Sequence, residues 1–270
     1  MSFAKLLTYA VPVALGTVGF YKFMTRKVFD RREIPQEPPF TSIVMCALNE
    51  EGFIEKALES LEDQNVRCCF PNHFECLLID SNSKDATAAI AEDYDWTVYQ
   101  APRGKLTARH IGMEKARGNI IVSVDADTFY PPAWLNLMLR WFKRPDVVGV
   151  VAPRLVNPEE SVLASYASAF LSLVDVGPFL AGGMRTPGQG VAFYREAYFE
   201  VGGFDLTINQ LNVHEMVREE EIRFAMKLRR LGRVPVDWQA PCLTSLRRVR
   251  FMSGQKYRKF NEERLAGKRF

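Results

Sequence analysis

In the stretch Ile120 to Pro132, IIVSVDADTFYPP, a run of mostly β-branched residues gives way to two carboxylates, Asp125 and Asp127, with the small Ala126 between them. Residues Ile120 to Val124 are too short and too apolar for anything but a buried strand, so the carboxylates fall where that strand's C-terminal end meets solvent. Open α/β sheets bind ligands at that edge. Two anionic groups held this close repel each other unless a cation lies between them, and a divalent metal clamped to a diphosphate satisfies them best. A bare Asp-x-Asp is equally a polar strand end, so the neighbouring stretches have to decide.

The elements that must position this pair are legible on both sides of it. Strands are expected at Thr41 to Ala47, Phe74 to Asp80, Trp96 to Gln100 and Ile120 to Val124, with helical patterns at Gly52 to Asp63, Ala86 to Asp93 and Leu106 to Arg117. Strands alternating with helices need crossover connections, which predicts a mainly parallel nucleotide-binding sheet flanked by helices. Three of these strands run into polar residues: Leu48-Asn49-Glu50-Glu51, then Asp80-Ser81-Asn82-Ser83-Lys84-Asp85-Ala86-Thr87, then Asp125-Ala126-Asp127. In a parallel sheet all three turns lie on one edge and can converge on one ligand. The chain has no G-x-G-x-x-G and no Walker loop, which argues against a dinucleotide dehydrogenase or a P-loop NTPase.

Length and charge set the frame. The 270 residues, 47% hydrophobic, suit one large α/β domain. The net charge of +3 hides two basic clusters, one at Lys22, Arg26, Lys27, Arg31 and Arg32, the other at Arg247, Arg248, Arg250, Lys256, Arg258 and Lys259. Neither is interleaved with aromatics in a nucleic-acid motif, so they are expected to face anionic lipid or ligand phosphate. Leu6 to Tyr21 carries no charge and precedes the first cluster, which reads as an N-terminal membrane-anchor helix with the rest of the chain on the cytosolic face. The proline-rich EIPQEPP, Glu33 to Pro39, then links residues 1–39 to a catalytic domain over 40–270. Five cysteines in no metal-site spacing read as free thiols of a reducing compartment.

Taken together, NEE after the first strand, D-S-N-S-K-D-A-T after the second, R-G-K-L-T-A-R before the fourth, then D-A-D, resemble family 2 glycosyltransferases of the GT-A fold. Gly188 to Asp205, GQGVAFYREAYFEVGGFD, is similar to that family's acceptor-side segment, and Glu220-Glu221-Ile222 before Lys227-Leu228-Arg229 to its late acidic motif. The resemblance covers residues 40 to 250 and implies a nucleotide-diphosphate sugar donor with Mn²⁺ or Mg²⁺. It implies that Cys46, Leu48 and Glu50 line the base and ribose, Cys46 standing where the family usually has proline and Leu48 where it usually has an aromatic. Asp80 would accept a hydrogen bond from the base, although a turn-capping Asp is the alternative there, as it is for Asp85. Lys105 would stand near the nucleotide, Asp125, beside Ala126, would hold ribose or a metal-bound water, and Asp127 would coordinate the metal.

Breaking a sugar–phosphate bond needs charge neutralisation on the leaving diphosphate, for which Arg247 and Arg248 are candidates beside the metal. A hydroxyl acceptor also needs a base. Among Glu219-Glu220-Glu221, Glu221 takes the position of the family's Asp and is favoured, with Glu220 in reserve; acids at a helix start are also favoured simply by the dipole. The outcome would be inversion onto a glycan or polyprenyl-phosphate acceptor, the latter already anionic and needing no base. His214 with Glu215, and His110, read as structural or solvent-exposed. Ser161 to Val174 reads as a core helix rather than a lipid-facing one. The absence of Q-x-x-R-W favours a single addition. The alternative from another class is a non-catalytic nucleotide-sugar binder of the same fold; a nucleotidyltransferase would want a glycine-rich basic loop that is missing after the first strand.

Overall fold

The computed structural model describes residues 3–30, 35–170, 190–206 and 223–245, with side chains from residue 16 onward. Its centre is a six-stranded sheet. β1 (Thr41–Ala47), β2 (Phe74–Asp80), β3 (Thr97–Gln100) and β4 (Ile120–Asp125) run parallel, and β8 (Gly190–Tyr194) pairs antiparallel with both β4 and β6 (Gly149–Val151). Across the sheet the order is β3-β2-β1-β4-β8-β6. The strand bounds expected for β1 and β2 coincide with those observed, because both have an apolar centre, Ile43 to Ala47 and Cys76 to Ile79, that runs into a polar turn. A smaller sheet is built from β5 (Thr128–Phe129), β7 (Arg154–Val156) and β9 (Cys242–Thr244), with β9 in the middle. Apolar cores lie on both faces of the main sheet, as a mainly parallel sheet requires.

The helix α5 (Lys105–Lys115) covers one face and comes unusually close to it. Leu106, Ala108, Arg109, Gly112 and Met113 are its buried residues. A methyl added at Gly112 would overlap Val44 Cγ1 and lie 3.0 Å from Ile79 Cγ1, so glycine is what lets the helix rest directly on β1 and β2. On the other face, α2 (Ile54–Glu62) buries Ile54, Ala57, Leu58 and Leu61, positions one helical turn apart.

The N-terminal helix expected from the uncharged run does form, as α1 (Phe3–Val28). Among the described residues, however, no helix is long and apolar enough to cross a membrane. The uncharged run of 16 residues, Leu6 to Tyr21, measures about 24 Å as helix, short of the about 30 Å hydrocarbon core. The second half of α1 packs on the protein, burying Met24 and Val28 completely. The segment 162–170 is helical as expected and buries Ser165 and Ala169, but its other side is uncovered, with Val162, Leu163 and Phe170 57%, 81% and 45% exposed; residues 171–174 of the expected helix lie outside the described residues.

Gly112→Ala should destabilise the fold by about 1–3 kcal/mol through overpacking at the α5–sheet contact. Urea unfolding should show a lower midpoint at unchanged slope.

Candidate active site

The strand register sets the level of the site. Within the parallel sheet Cys46 lies opposite both Ile79 and Asp125, and Ala47 opposite Asp80. The turns after β1, β2 and β4 therefore leave the sheet at one height, on its C-terminal rim. The first two interlock. Asn49 N–H donates to Ser83 Oγ (2.9 Å), Lys84 N–H to Asn49 Oδ1 (2.7 Å) and Glu50 N–H to Thr87 Oγ1 (2.8 Å). Asp85 accepts from Glu51 N–H, and Glu51 in turn accepts from Ala86 N–H. Asn49 and Asn82 hold positive φ of 54° and 67°, conformations that Asn tolerates better than most residues. Asp80, 3% exposed, accepts the Ser83 N–H on both carboxylate oxygens at 3.2 Å and so caps its own turn. Ser81 joins this rim to the start of α5, its hydroxyl donating to Pro102 O and accepting from Gly104 N–H, both at 3.1 Å.

Asp125 is 2% exposed, and a carboxylate this deep needs a fixed cation. Arg109, 3% exposed, supplies it with Nη2 at 3.0 Å from Oδ1, and Lys105 Nζ stands 3.8 Å from the same oxygen. Lys105 and Arg109 are four residues apart on α5, one turn above each other. Sequence reasoning placed Lys105 near the nucleotide but passed over Arg109; the i, i+4 basic pair on the helix that precedes β4 was the available signal. Tyr130 was missed as well. Its hydroxyl accepts from Asp125 N–H at 2.8 Å and donates to Asp125 O at 3.3 Å, which fixes the strand end from below. Complete burial pushes the Tyr130 hydroxyl well above its ordinary pKa, so it acts as a neutral hydrogen-bonding group. Gln64 in turn donates to Tyr130 O and Pro131 O and accepts from Leu135 N–H, clamping the chain that leaves the aspartate pair.

Ala126 and Asp127 form the turn between β4 and β5 and are 3% and 6% exposed. Asp127 O accepts from Ser245 N–H at 3.2 Å, and Thr128 pairs with Thr244 across the small sheet. The T-S-L-R-R segment thus reaches the aspartate turn at its first two residues. Arg247, Arg248, Glu220, Glu221, His214 and Glu215 lie outside the described residues. Leu48 and Cys46 are half-buried beside the rim, and burial pushes the Cys46 thiol up to about 12, so it stays protonated. His110 is not an isolated surface group, because its Nδ1 is hydrogen-bonded to the buried Tyr198 hydroxyl at 2.8 Å.

Among the described residues no three His, Cys, Asp or Glu side chains gather as a metal cage. A Mg²⁺- or Mn²⁺-type ion taken up with a diphosphate needs only one or two protein carboxylates, phosphate oxygens and water completing its shell. Since Asp125 already faces two cations, Asp127 is the carboxylate whose chemistry fits that part.

Residues 42–206 match the family model described as glycosyl transferase family 2. The chain belongs to that family. It is 28% identical over 221 residues to the beta-monoglucosyldiacylglycerol synthase of a Nostoc species, covering 76% of this chain and 46% of that protein. It is 29% identical over 142 residues to the undecaprenyl-phosphate 4-deoxy-4-formamido-L-arabinose transferase of Pseudomonas fluorescens, covering 49% of this chain and 40% of that one. The chain thus spans less than half the length of these curated relatives. Among solved structures, the mannosyltransferase PcManGT from Pyrobaculum calidifontis, in complex with GDP-Man and Mn²⁺, superposes with a TM-score of 0.60 at 18% identity. That match takes in 94% of this chain and 71% of the other, a likeness of fold that fits the expected GT-A architecture.

Arg109→Met should cost about 3–5 kcal/mol by leaving the Asp125 carboxylate buried without its guanidinium. Adding Asp125→Asn to that variant should recover much of the loss, giving a clear interaction energy in a double-mutant cycle. Tyr130→Phe should cost about 1–3 kcal/mol by the same unfolding measurement.

Proposed function

We propose that this chain is a metal-dependent, inverting glycosyltransferase. In this reading it moves a sugar from a nucleotide-diphosphate sugar to a glycan or lipid-linked acceptor at the cytosolic face of a membrane. The observation that carries the reading is the common rim, where the turns of β1, β2 and β4 end together with a cation-matched Asp125 among them. Cys46, Leu48 and Glu50 form one wall for the nucleoside, and Asp80 a second, its carboxylate already oriented by the Ser83 N–H. Asp125, held by Arg109 and Lys105, positions the ribose side. Lys105, 30% exposed in its side chain, faces the phosphates in this reading.

Asp127 would hold Mn²⁺ or Mg²⁺, which supplies Lewis-acid neutralisation of the diphosphate as it departs. Arg247 and Arg248 share that load in this reading; the support is that Ser245, two and three residues before them, is hydrogen-bonded to Asp127. Glu221, with Glu220 in reserve, takes the proton of a hydroxyl acceptor on the side of the anomeric carbon opposite the diphosphate, so an α-linked donor gives a β-linked product. The lipid-linked acceptor class draws support from the names of the two relatives, which carry diacylglycerol and undecaprenyl phosphate.

Metal-dependent release of nucleoside diphosphate from a panel of nucleotide sugars tests the reading directly. Asp127→Ala should lower that release by about 10³-fold or more and abolish the thermal stabilisation that donor with Mn²⁺ gives the wild type. Unchanged turnover in Asp127→Ala would refute the metal role, and donor binding without any release would indicate a receptor. Glu221→Gln should lose about 10²–10⁴-fold with a hydroxyl acceptor. With a polyprenyl phosphate acceptor it should retain most of its rate.

A further inference from the structure

We infer that the outer face of α1, together with the exposed stripe of the helical segment 162–170, is a docking surface for an anionic phospholipid bilayer, lying on the membrane rather than crossing it. The inference deepens the membrane attachment proposed above and rests on it. At 3.6 residues per turn, Met24 and Val28 point to one side of α1 and are fully buried, while Lys22, Arg26 and Phe23 form an exposed stripe away from them, with the exposed Lys27 at its edge. Phe23, 49% exposed, sits in the middle of that stripe with basic side chains on either side. An exposed aromatic framed by cations matches the headgroup zone of an anionic leaflet, where the ring enters the acyl boundary and the cations meet phosphate. No carboxylate occurs between residues 3 and 29 or between 161 and 170, so nothing in either segment opposes that charge match.

The second helix extends the surface. Val162, Leu163 and Phe170 are exposed around Tyr166, and the Tyr166 ring meets Tyr21 of α1 edge-on at 4.7 Å. The two helices are therefore joined at a seam, with a basic-aromatic stripe on one and an aliphatic stripe on the other. The surface is also fixed to the catalytic rim. Met24 and Ala169 pack with Leu155 and Leu243 in one apolar cluster, and Leu243 immediately precedes Thr244, the partner of Thr128 beside Asp127. Phe20 contacts Trp238 at 5.5 Å, and the Val28 carbonyl accepts from Ala133 N–H at 3.0 Å. A bilayer held on these helices is thus tied through continuous packing to the turn that carries the aspartate pair.

The test is flotation of the full chain with vesicles of phosphatidylcholine alone or of phosphatidylcholine and phosphatidylglycerol in equal amounts. The wild type should float with the anionic vesicles and be released by high salt. The variant K22Q/R26Q/K27Q should partition about a hundredfold more weakly into them. Leu163→Glu, at a site that is already 81% exposed and so tolerates charge, should weaken binding to both vesicle types. Attachment that resists salt and alkaline carbonate would overturn the inference in favour of an integral span. Binding unchanged in both variants would overturn it too, as would a concentration-dependent dimer in ultracentrifugation that Leu163→Glu dissolves. Donor turnover without lipid, measured on the same preparations, should be equal in all of them. Its absence from the wild type would sink the glycosyltransferase reading while leaving the lipid surface standing.

Discussion

A carboxylate removed from water at the end of a buried strand dictates much of this molecule. Asp125 terminates β4 in the middle of the sheet, flanked by β1 and β8, where solvent cannot screen it. Its charge is tolerable only because a guanidinium is delivered to it at hydrogen-bond distance. Delivering Arg109 that deep requires α5 to sit almost in contact with the strands, which Gly112 allows. A helix displaced by one methyl would carry the guanidinium away from an oxygen it meets at 3.0 Å. The ion pair, the missing side chain and the parallel register are one solution to one electrostatic problem.

That solution also bears on which aspartate would take a cation in the function proposed above. With Arg109 and Lys105 both directed at Asp125 Oδ1, a metal placed there would face two positive charges at close range. Asp127 lies in the turn that follows, whose backbone is held by the second half of the chain through Ser245 and by the small sheet. The two members thus differ in their surroundings: Asp125 is charge-matched by the protein, and in the proposed function Asp127 would be the one to meet the diphosphate's counterion. Tyr130 and Gln64 keep this arrangement in place by satisfying the backbone polar groups around the turn, which are buried and would otherwise go unmet.

Features set by local pattern were legible in the sequence. β1 and β2 were legible to the residue because an apolar run stopping at a polar turn leaves no alternative, and the convergence of three turns came from parallel strands alone. Arg109 was not legible, because two cations spaced four apart on a helix look the same whether they face solvent or a buried carboxylate; only the depth of α5 distinguishes the cases. The segment 162–170 was misjudged for a related reason. Alanine, leucine and valine at helical spacing report an apolar face but not whether another layer exists to cover it. For α1, the missing charge was readable, whereas the burial of Met24 depends on partners more than a hundred residues away, Leu155, Ala169 and Leu243 among them.

The same helix that neutralises Asp125 reaches the segment resembling an acceptor side. His110, adjacent to Arg109, is hydrogen-bonded to Tyr198, and the Tyr198 hydroxyl also accepts from Phe204 N–H at 3.4 Å. The turn between them is built for that contact. Gly203 has φ of +58° and its Cα lies so near the Tyr198 ring that a Cβ would come within 2.9 Å of it, so both backbone conformation and space exclude a side chain. Tyr198 is itself fixed by Phe193, Phe204 and Phe224, which enclose its ring. Rotating α5 enough to re-aim Arg109 would therefore break the His110 contact and drag on an aromatic cluster. The cation that matches Asp125 and the Gly202-Gly203-Phe204 turn are consequently held at a fixed mutual position by one rigid element. A two-substrate transfer of the kind proposed above would depend on that fixity, since reacting groups misplaced by about 1 Å can lose about 10²-fold in rate.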